Sequence, residues 1–395
     1  MLIPALRSLF TDSDVTSLVD LRRDLHRHPE LSWKEQRTST KLAEAVAALG
    51  AVDVERVAGT GVIARFAGRN RNAPLVAVRG DIDALPIEEA TGLPFASSSP
   101  GVMHACGHDI HSTWAIGAAL LLSRNPAHGD VLVVLQPAEE LGEGAKAILE
   151  TGALDDVRAI FGGHVDRRFA VGQIVADDGP LAASTDTFEI ELIGQGAHGA
   201  RPHESADPIV GAAALITALQ TIVARRIDPA AAAVVTVGSI HAGTASNIIP
   251  ERATLTGTLR ATTPETRAMI GSEVQRIAES VAASYRLTAR TTVHLGTPPI
   301  VNPPQAASWA RKAATSVLGS AAVVPFGVTN MGGEDFAFYL EKIPGCFMRV
   351  GAREEGGERL AAHSPRFTAA EESIFVGAAV LAEAARVASA ALADA

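Results

Sequence analysis

Residues 101–114 read GVMHACGHDIHSTW and bring His104, Cys106, His108, Asp109 and His111 into one short stretch. Thiolate, imidazole and carboxylate together suit a divalent transition metal such as Zn²⁺ or Mn²⁺. Two ligand sets fit the spacing. On a helix, His104, His108 and His111 share a face at i, i+4 and i+7; in a loop or strand, Cys106 and His108 share a side at i, i+2. A third reading makes Cys106 a nucleophile with a histidine as its base. A single cysteine is more often a small buried apolar residue; three adjacent histidines could supply the base, yet Cys106 and His108 make a Cys-x-His chelate that favours a ligand. Spacing alone leaves the alternatives open.

Further polar clusters follow apolar runs. LVAVRGDID ends in Asp81 and Asp83, VLVVLQPAEE in Glu139 and Glu140, and RAIFGGHV brings in His164. Sites in open α/β sheets form beyond the carboxyl ends of the strands, so these groups converge on one edge. Adjacent side chains on a strand point opposite ways. One carboxylate of the Glu139–Glu140 pair can then bind a metal while the other moves protons. A metal hydrolase needs that division between Lewis acid and proton carrier. A bare Glu-Glu pair would ordinarily be two solvated acids, but the company it keeps here argues for a site.

The elements that must hold these residues alternate between strand and helix. VTSLVDLRRDLHRHPE has helical spacing and stops at Pro29; 33–49 gives a second helix ended by Gly50. GVIARF, LVAVRG (its residues 75–78 buried and parallel), VLVVLQ and VRAIFGGHV read as strands. STWAIGAALLLS and GAKAILETGAL read as helices. The pattern predicts an α/β domain with a mostly parallel sheet and flanking helices. Near residue 183 the texture changes to period-two strands in the order β-α-β-β-α-β, the signature of a ferredoxin-like unit. After PPIVNPP the first texture resumes with a helix, the motif NMGGEDFAFY and an Ala-rich final helix. The expected organisation is a discontinuous domain, 1–182 with 296–395, carrying an inserted α+β domain, 183–295.

At 395 residues the chain is long for one core, which agrees with two domains. A formal net charge of −10 argues against nucleic acid or an anionic membrane as a partner. Two cysteines cannot build a disulfide framework and point to a reducing compartment. No signal-length apolar core is apparent in MLIPALRSLFTDSD, and no run of 18 uninterrupted apolar residues suggests a membrane span. The expected location is the cytoplasm.

The motifs LRRDLHRHPELS, GTGV, DIDALPI, GVMHACGHDIH, QPAEELGEGAKAILETGAL, GHV, GQGAHGARPHESADPI, GTASNIIPERATLTGTLR, GGEDFAFYL and HSPRF occur in this order along nearly the whole chain. Together they resemble the amidohydrolase subfamily of metallopeptidase family twenty, which includes hippurate hydrolases, aminoacylases and auxin-conjugate hydrolases. The resemblance implies a zinc-peptidase-like catalytic domain with an inserted lid and dimerisation domain. It implies two divalent metal ions, Mn²⁺ or Zn²⁺ with Ni²⁺ or Co²⁺ as alternatives. It selects the loop reading: Cys106 as ligand shared between metals, His108, Glu140, His164 and His363 as further ligands, and Glu139 as general base. His104 and His111 then do not bind directly, and Asp83 orients a ligand. In the inserted domain His198 would stabilise the oxyanion, in its own or the partner subunit's site, while Asn247 and Arg260 would hold a substrate carboxylate. Glu334 and Asp335 would shape the floor of the site.

The implied reaction is hydrolysis of the amide of a small N-acyl amino acid by a metal-activated water, in a homodimer or a tetramer. The alternatives are a dipeptidase or carbamoyl-amino-acid hydrolase on the same site, and a metal-independent cysteine hydrolase. Ile110 stands where the family often has a small residue, and HVDRRFAVGQI lacks the prolines expected after His164. These departures bear on substrate preference rather than on the ligands.

Overall fold

The structure, a computed structural model, describes residues 3–394. The chain forms two compact units. The larger comprises residues up to 179, 302–327 and 335 onward; the smaller comprises 180–301 with 328–334. The inserted unit therefore takes up 296–301 and 328–334, which the sequence pattern assigned to the other domain. Backbone hydrogen bonds explain the difference: Thr185 N–H donates to Thr297 O at 3.0 Å, and Ala183 N–H to Gly332 O at 3.0 Å.

In the larger unit a seven-stranded sheet runs in the order Asp53–Val57, Gly61–Phe66, Val131–Gln136, Leu75–Asp81, Val157–Ala170, Gly345–Arg353, Ile174–Val175. The four strands from Val131–Gln136 to Gly345–Arg353 are mutually parallel, and the outer ones are antiparallel. Apolar runs such as Val131–Leu135 are buried throughout, as a sheet covered on both faces requires. The sequence pattern overlooked Asp53–Val57 and Gly345–Arg353. The first is an edge strand with mostly exposed side chains, and the second, GCFMRVGAR, does not alternate because it is buried along almost its whole length.

Helix Asp12–Arg27 starts with a capping box in which Thr11 and Asp14 each accept from the other's backbone N–H, at 3.2 and 2.7 Å. It stops at His28, whose helical conformation the following Pro29 disfavours. Helix His108–Arg124 is buried on nearly every side and packs against the long helix Glu372–Ala393.

The smaller unit has a four-stranded antiparallel sheet ordered Ala233–Ala242, Arg252–Ala261, Asp186–Ile193, Thr288–His294. Helices Pro208–Arg226 and Pro264–Ser284 cover it, and Phe188, Ile190, Leu219, Leu255 and Val274 build the core between. Order and direction are those of a ferredoxin-like unit. Pro208–Arg226 and Glu372–Ala393 are long and apolar enough to cross a membrane by length and composition, which revises the sequence expectation. Each packs on its own unit's core, with 33% and 72% of the residues in their most apolar 18-residue stretches buried.

Candidate metal centre

The helix that carries the HACGHD motif begins only at His108, so His104 lies outside it and cannot share a helical face with His108 and His111. The turn into the helix is made by Gly107 at φ +91°, where a Cβ would lie 2.6 Å from Val165 Cγ2. His108 Nδ1 lies 2.9 Å from Asp83 O and 3.1 Å from Asp83 Oδ1. These acceptors place the Nδ1 proton and turn Nε2 towards Glu139 Oε2 and Glu140 Oε1, each 3.7 Å away. Asp83 Oδ2 also accepts from Ser32 Oγ at 2.7 Å and from Glu140 N–H at 3.0 Å. One carboxylate thus fixes both the His108 imidazole and the Glu140 backbone.

His164 sits inside the strand Val157–Ala170 rather than at its end. It projects three residues beyond Phe161, the last residue paired with the neighbouring strand Leu75–Asp81. Its Nδ1 donates to Val165 O at 2.7 Å, leaving Nε2 unprotonated and 3.1 Å from Cys106 Sγ. His363 is half-exposed, at φ +66°, with Nε2 3.4 Å from Glu140 Oε2 and its N–H on Ala105 O at 2.8 Å. Among the sets whose ligand atoms lie within 4.8 Å of one another are Cys106–His108–His164, Cys106–Glu140–His363 and His108–Glu139–Glu140. Cys106 is common to the first two.

Glu139 and Glu140 do not point opposite ways as strand neighbours would. The strand ends at Gln136, Ala138 takes φ +50°, and the resulting turn aims both carboxylates at the same imidazole nitrogen. Ala138 N–H is held by the buried Glu35 at 2.9 Å, and Glu35 also accepts from Thr60 Oγ1 at 2.7 Å. Beneath lies a fully buried network. Arg79 Nε donates to Gln136 Oε1 at 2.8 Å, its guanidinium pairs with Asp81 and, at 3.0 Å, with Asp335, and Gln136 Nε2 donates to Asp335 at 2.8 Å. Asp335 also accepts from Ala145 N–H at 2.9 Å, which ties the network to the next helix.

His111 belongs to this network. Its Nε2 accepts from Val165 N–H at 2.9 Å and its Nδ1 donates to Asp81 at 2.7 Å, so neither nitrogen is free for a metal. His104 is buried with no hydrogen-bond partner on either nitrogen, and burial lowers its pKa to about 4. Glu35, Arg79 and Gln136 were not singled out by sequence pattern. Arg79 carried a signal, because a charge inside a buried parallel strand must be paired. Glu35, in an ordinary polar helix start, carried none.

Burial disfavours the charged form of His108, but Asp81 and Asp83 outweigh it and lift the imidazole well above its ordinary range. Burial, reinforced by Glu140, pushes the Cys106 thiol well up. Burial also raises Glu140 and holds His164 neutral, well below the usual imidazole range. Two atoms reveal what is missing from this balance: His108 Nε2 and Glu140 Oε1 are buried without a hydrogen-bond partner. Each such group costs about 1–3 kcal/mol. A divalent cation satisfies an imidazole lone pair and a carboxylate oxygen together, and sulfur, nitrogen and oxygen donors of this kind are those of Zn²⁺ and its neighbours. The residues fit a metal.

The remaining predicted site residues are in the smaller unit. His198 is exposed on the short strand Ala197–His198, which pairs with Ile248–Ile249. Its Nδ1 accepts from Ala200 N–H at 3.1 Å, so Nε2 is the nitrogen that carries a proton. Asn247 is exposed, and its carbonyl accepts from Gly199 N–H at 2.7 Å, next to His198. Arg260 is half-buried on Arg252–Ala261, opposite Val234.

Residues 77–387 match the family description Peptidase family M20/M25/M40. The chain belongs to this family. An N-acetylcysteine deacetylase of Bacillus subtilis (strain 168) is 42% identical over 372 residues, covering 93% of this chain and 96% of the relative. Thermostable carboxypeptidase 2 of Saccharolobus solfataricus is 37% identical over 369 residues, covering 91% and 92%. Among solved structures, the Bacillus subtilis YXEP protein, described as a dinuclear metal binding peptidase from the M20 family, superposes with a TM-score of 0.85 at 38% identity. That match covers 96% of this chain and 99% of the other. Membership bears out the family and the mostly parallel α/β fold read from the motifs, and makes this M20 protein a hydrolase of amide bonds.

Proposed function

We propose that this M20 hydrolase cleaves the amide of N-acyl amino acids, N-acetyl derivatives first among them, at a two-metal centre. One observation carries the reading: Cys106 is common to two ligand sets, Cys106–His108–His164 and Cys106–Glu140–His363, with unsatisfied donor atoms facing one another between them. The N-acetylcysteine deacetylases among the relatives and the dinuclear neighbour support it. Cys106, His108, Glu140, His164 and His363 would hold two divalent ions, which would supply Lewis acidity and lower the pKa of a bound water.

The chain's own groups do the rest. Glu139, on the same turn as Glu140, takes the proton of the attacking water and returns it to the leaving nitrogen. Asp83 holds the His108 proton on Nδ1, and His111 buttresses the strand at Val165, next to His164. The Nε2–H of His198 is a donor of the kind that stabilises an oxyanion, and Asn247 and Arg260 are assigned to the substrate's α-carboxylate. Cys106 does not suit the nucleophile's role. Its thiol is buried and held in the protonated form, whereas reactive thiols are exposed and acidic. Dipeptides are a second substrate class, favoured by the carboxypeptidase relative.

The test is amine release from N-acetyl-L-cysteine, other N-acetyl, N-benzoyl and indole-acetyl amino acids and dipeptides. It is run on chelator-stripped protein and after restoring Mn²⁺ or Zn²⁺. Hydrolysis only with metal supports the proposal, and activity that survives chelation would sink it.

A further inference from the structure

His363 is the exposed member of its ligand set, and it comes from a stretch, 354–371, with neither helix nor strand. Its φ of +66° is one that non-glycine residues adopt only when their surroundings enforce it. Metal ligands on irregular backbone bind well only if something holds them to within about 0.5 Å. Two backbone contacts help near the ligand itself: His363 N–H on Ala105 O at 2.8 Å, and Ala90 N–H on Pro365 O at 2.8 Å. The flanks are held by a side chain.

That side chain is Arg167, 2% exposed, three residues beyond His164 on the same strand. Its Nε and Nη2 donate to Glu358 O at 3.0 and 2.7 Å, and its Nη1 to Thr368 O at 3.0 Å. Nη1 and Nη2 also grip the Glu354 carboxylate in parallel, at 2.7 and 2.9 Å. One buried guanidinium therefore ties the incoming limb of the His363 segment, at 354 and 358, to its outgoing limb at 368. Only a planar fork with five donors can do this from a single position. The same strand carries one proposed ligand, His164, and the anchor for another.

We propose that Arg167 is a positioning residue for the metal held by Cys106, Glu140 and His363. By closing the loop on which His363 sits, it sets the affinity of that ion and not of the ion at Cys106, His108 and His164. The proposal rests on the ligand assignment made above. Loss of a group that orients a ligand typically weakens metal binding by about 10–100-fold.

The experiment titrates Zn²⁺ against a chromophoric competing chelator in the full-length chain and in Arg167→Met, Arg167→Lys, His363→Ala and Arg167→Met/His363→Ala. Arg167→Met is expected to weaken one of two bound ions by about 10–100-fold, leave the other near the wild-type value, and add little to His363→Ala. Arg167→Lys, which keeps the charge and some donors, should recover part of the loss. Wild-type affinities in Arg167→Met, equal losses at both ions, or full additivity with His363→Ala would overturn the proposal. Should Arg167→Met not fold, Arg167→Lys decides alone: a loss confined to one ion supports the clamp, and none or an equal loss at both refutes it. His363→Ala with both affinities intact would refute the ligand assignment itself, and the clamp with it.

Discussion

Asp83→Asn is a near-isosteric change whose cost can be worked from hydrogen-bond bookkeeping. Asp83 Oδ2 faces two donors, Ser32 Oγ–H and Glu140 N–H, and Oδ1 faces His108 Nδ1. Asparagine must put its NH₂ at one of these two places. At the Oδ2 position it meets the Glu140 N–H, donor against donor; the Ser32 hydroxyl can rotate to accept, but a backbone amide cannot. At the Oδ1 position it meets Nδ1–H. Relief there requires the imidazole proton to move to Nε2, the atom turned towards Glu139 and Glu140. That move abandons the bond to Asp83 O and removes the lone pair a metal needs. Either way one buried polar group is left without its partner, which costs about 1–3 kcal/mol, or about 5–150-fold in affinity at 1.4 kcal/mol per tenfold. We expect Asp83→Asn to weaken Zn²⁺ binding by about 10–100-fold, measured by chelator competition, in a protein that still folds. Because alanine leaves room for a water, Asp83→Ala should be no worse than Asp83→Asn. Affinity within about threefold of wild type in Asp83→Asn, under one kcal/mol, would refute the tautomer argument.

Glu139→Gln should lower turnover by at least about 10²-fold while metal content by mass spectrometry stays at the wild-type level; parallel loss of metal would make Glu139 a ligand instead. His108 and Cys106 both have raised pKa values, so below those values they carry protons that a metal must displace. Zn²⁺ affinity is therefore predicted to rise with pH through the neutral range, with proton release visible as a buffer-dependent binding enthalpy in calorimetry; a pH-independent affinity contradicts it. The Arg124 hydrogen bond, with help from Thr11, lowers the pKa of Asp14 to about 2. The stability this gives is complete above the ordinary carboxylate range near 4 and is lost as pH falls through about 2. Asp14→Asn should be less stable at neutral pH and lose less stability than wild type between about pH 4 and 2, by urea unfolding; equal slopes would exclude the pair as a source of acid sensitivity.

Much of the fold was legible because the periodicities are clean. The run at 75–78, buried except for half-buried Leu75, the all-apolar 131–135 and the alternation along 186–193 match their burial. Gly345–Arg353 was missed for the opposite reason: a buried strand containing two glycines and two arginines matches no simple period. The chemistry-bearing residues were visible as types and clusters, but their mutual geometry was not. A strand's alternation predicted that Glu139 and Glu140 diverge, whereas a single positive-φ residue, Ala138, turns them together. Spacing alone left His111 open as a ligand on its helix face; the family resemblance took it out of the ligand set, and both its nitrogens are spent, on Asp81 and on Val165. Glu35 on Ala138, Arg79 on Asp335 and Arg167 on Glu358 and Thr368 each bridge residues remote in sequence, and spacing carries no trace of such contacts.

The central claim is that one thiolate serves two ions. Its most direct test is Zn²⁺ stoichiometry, by mass spectrometry under non-denaturing conditions, in wild type, His164→Ala, His363→Ala and Cys106→Ala. The account predicts two ions per chain in the wild type, loss of one in each histidine variant and loss of both in Cys106→Ala. Cys106→Ala that keeps an ion as tightly as wild type would contradict it.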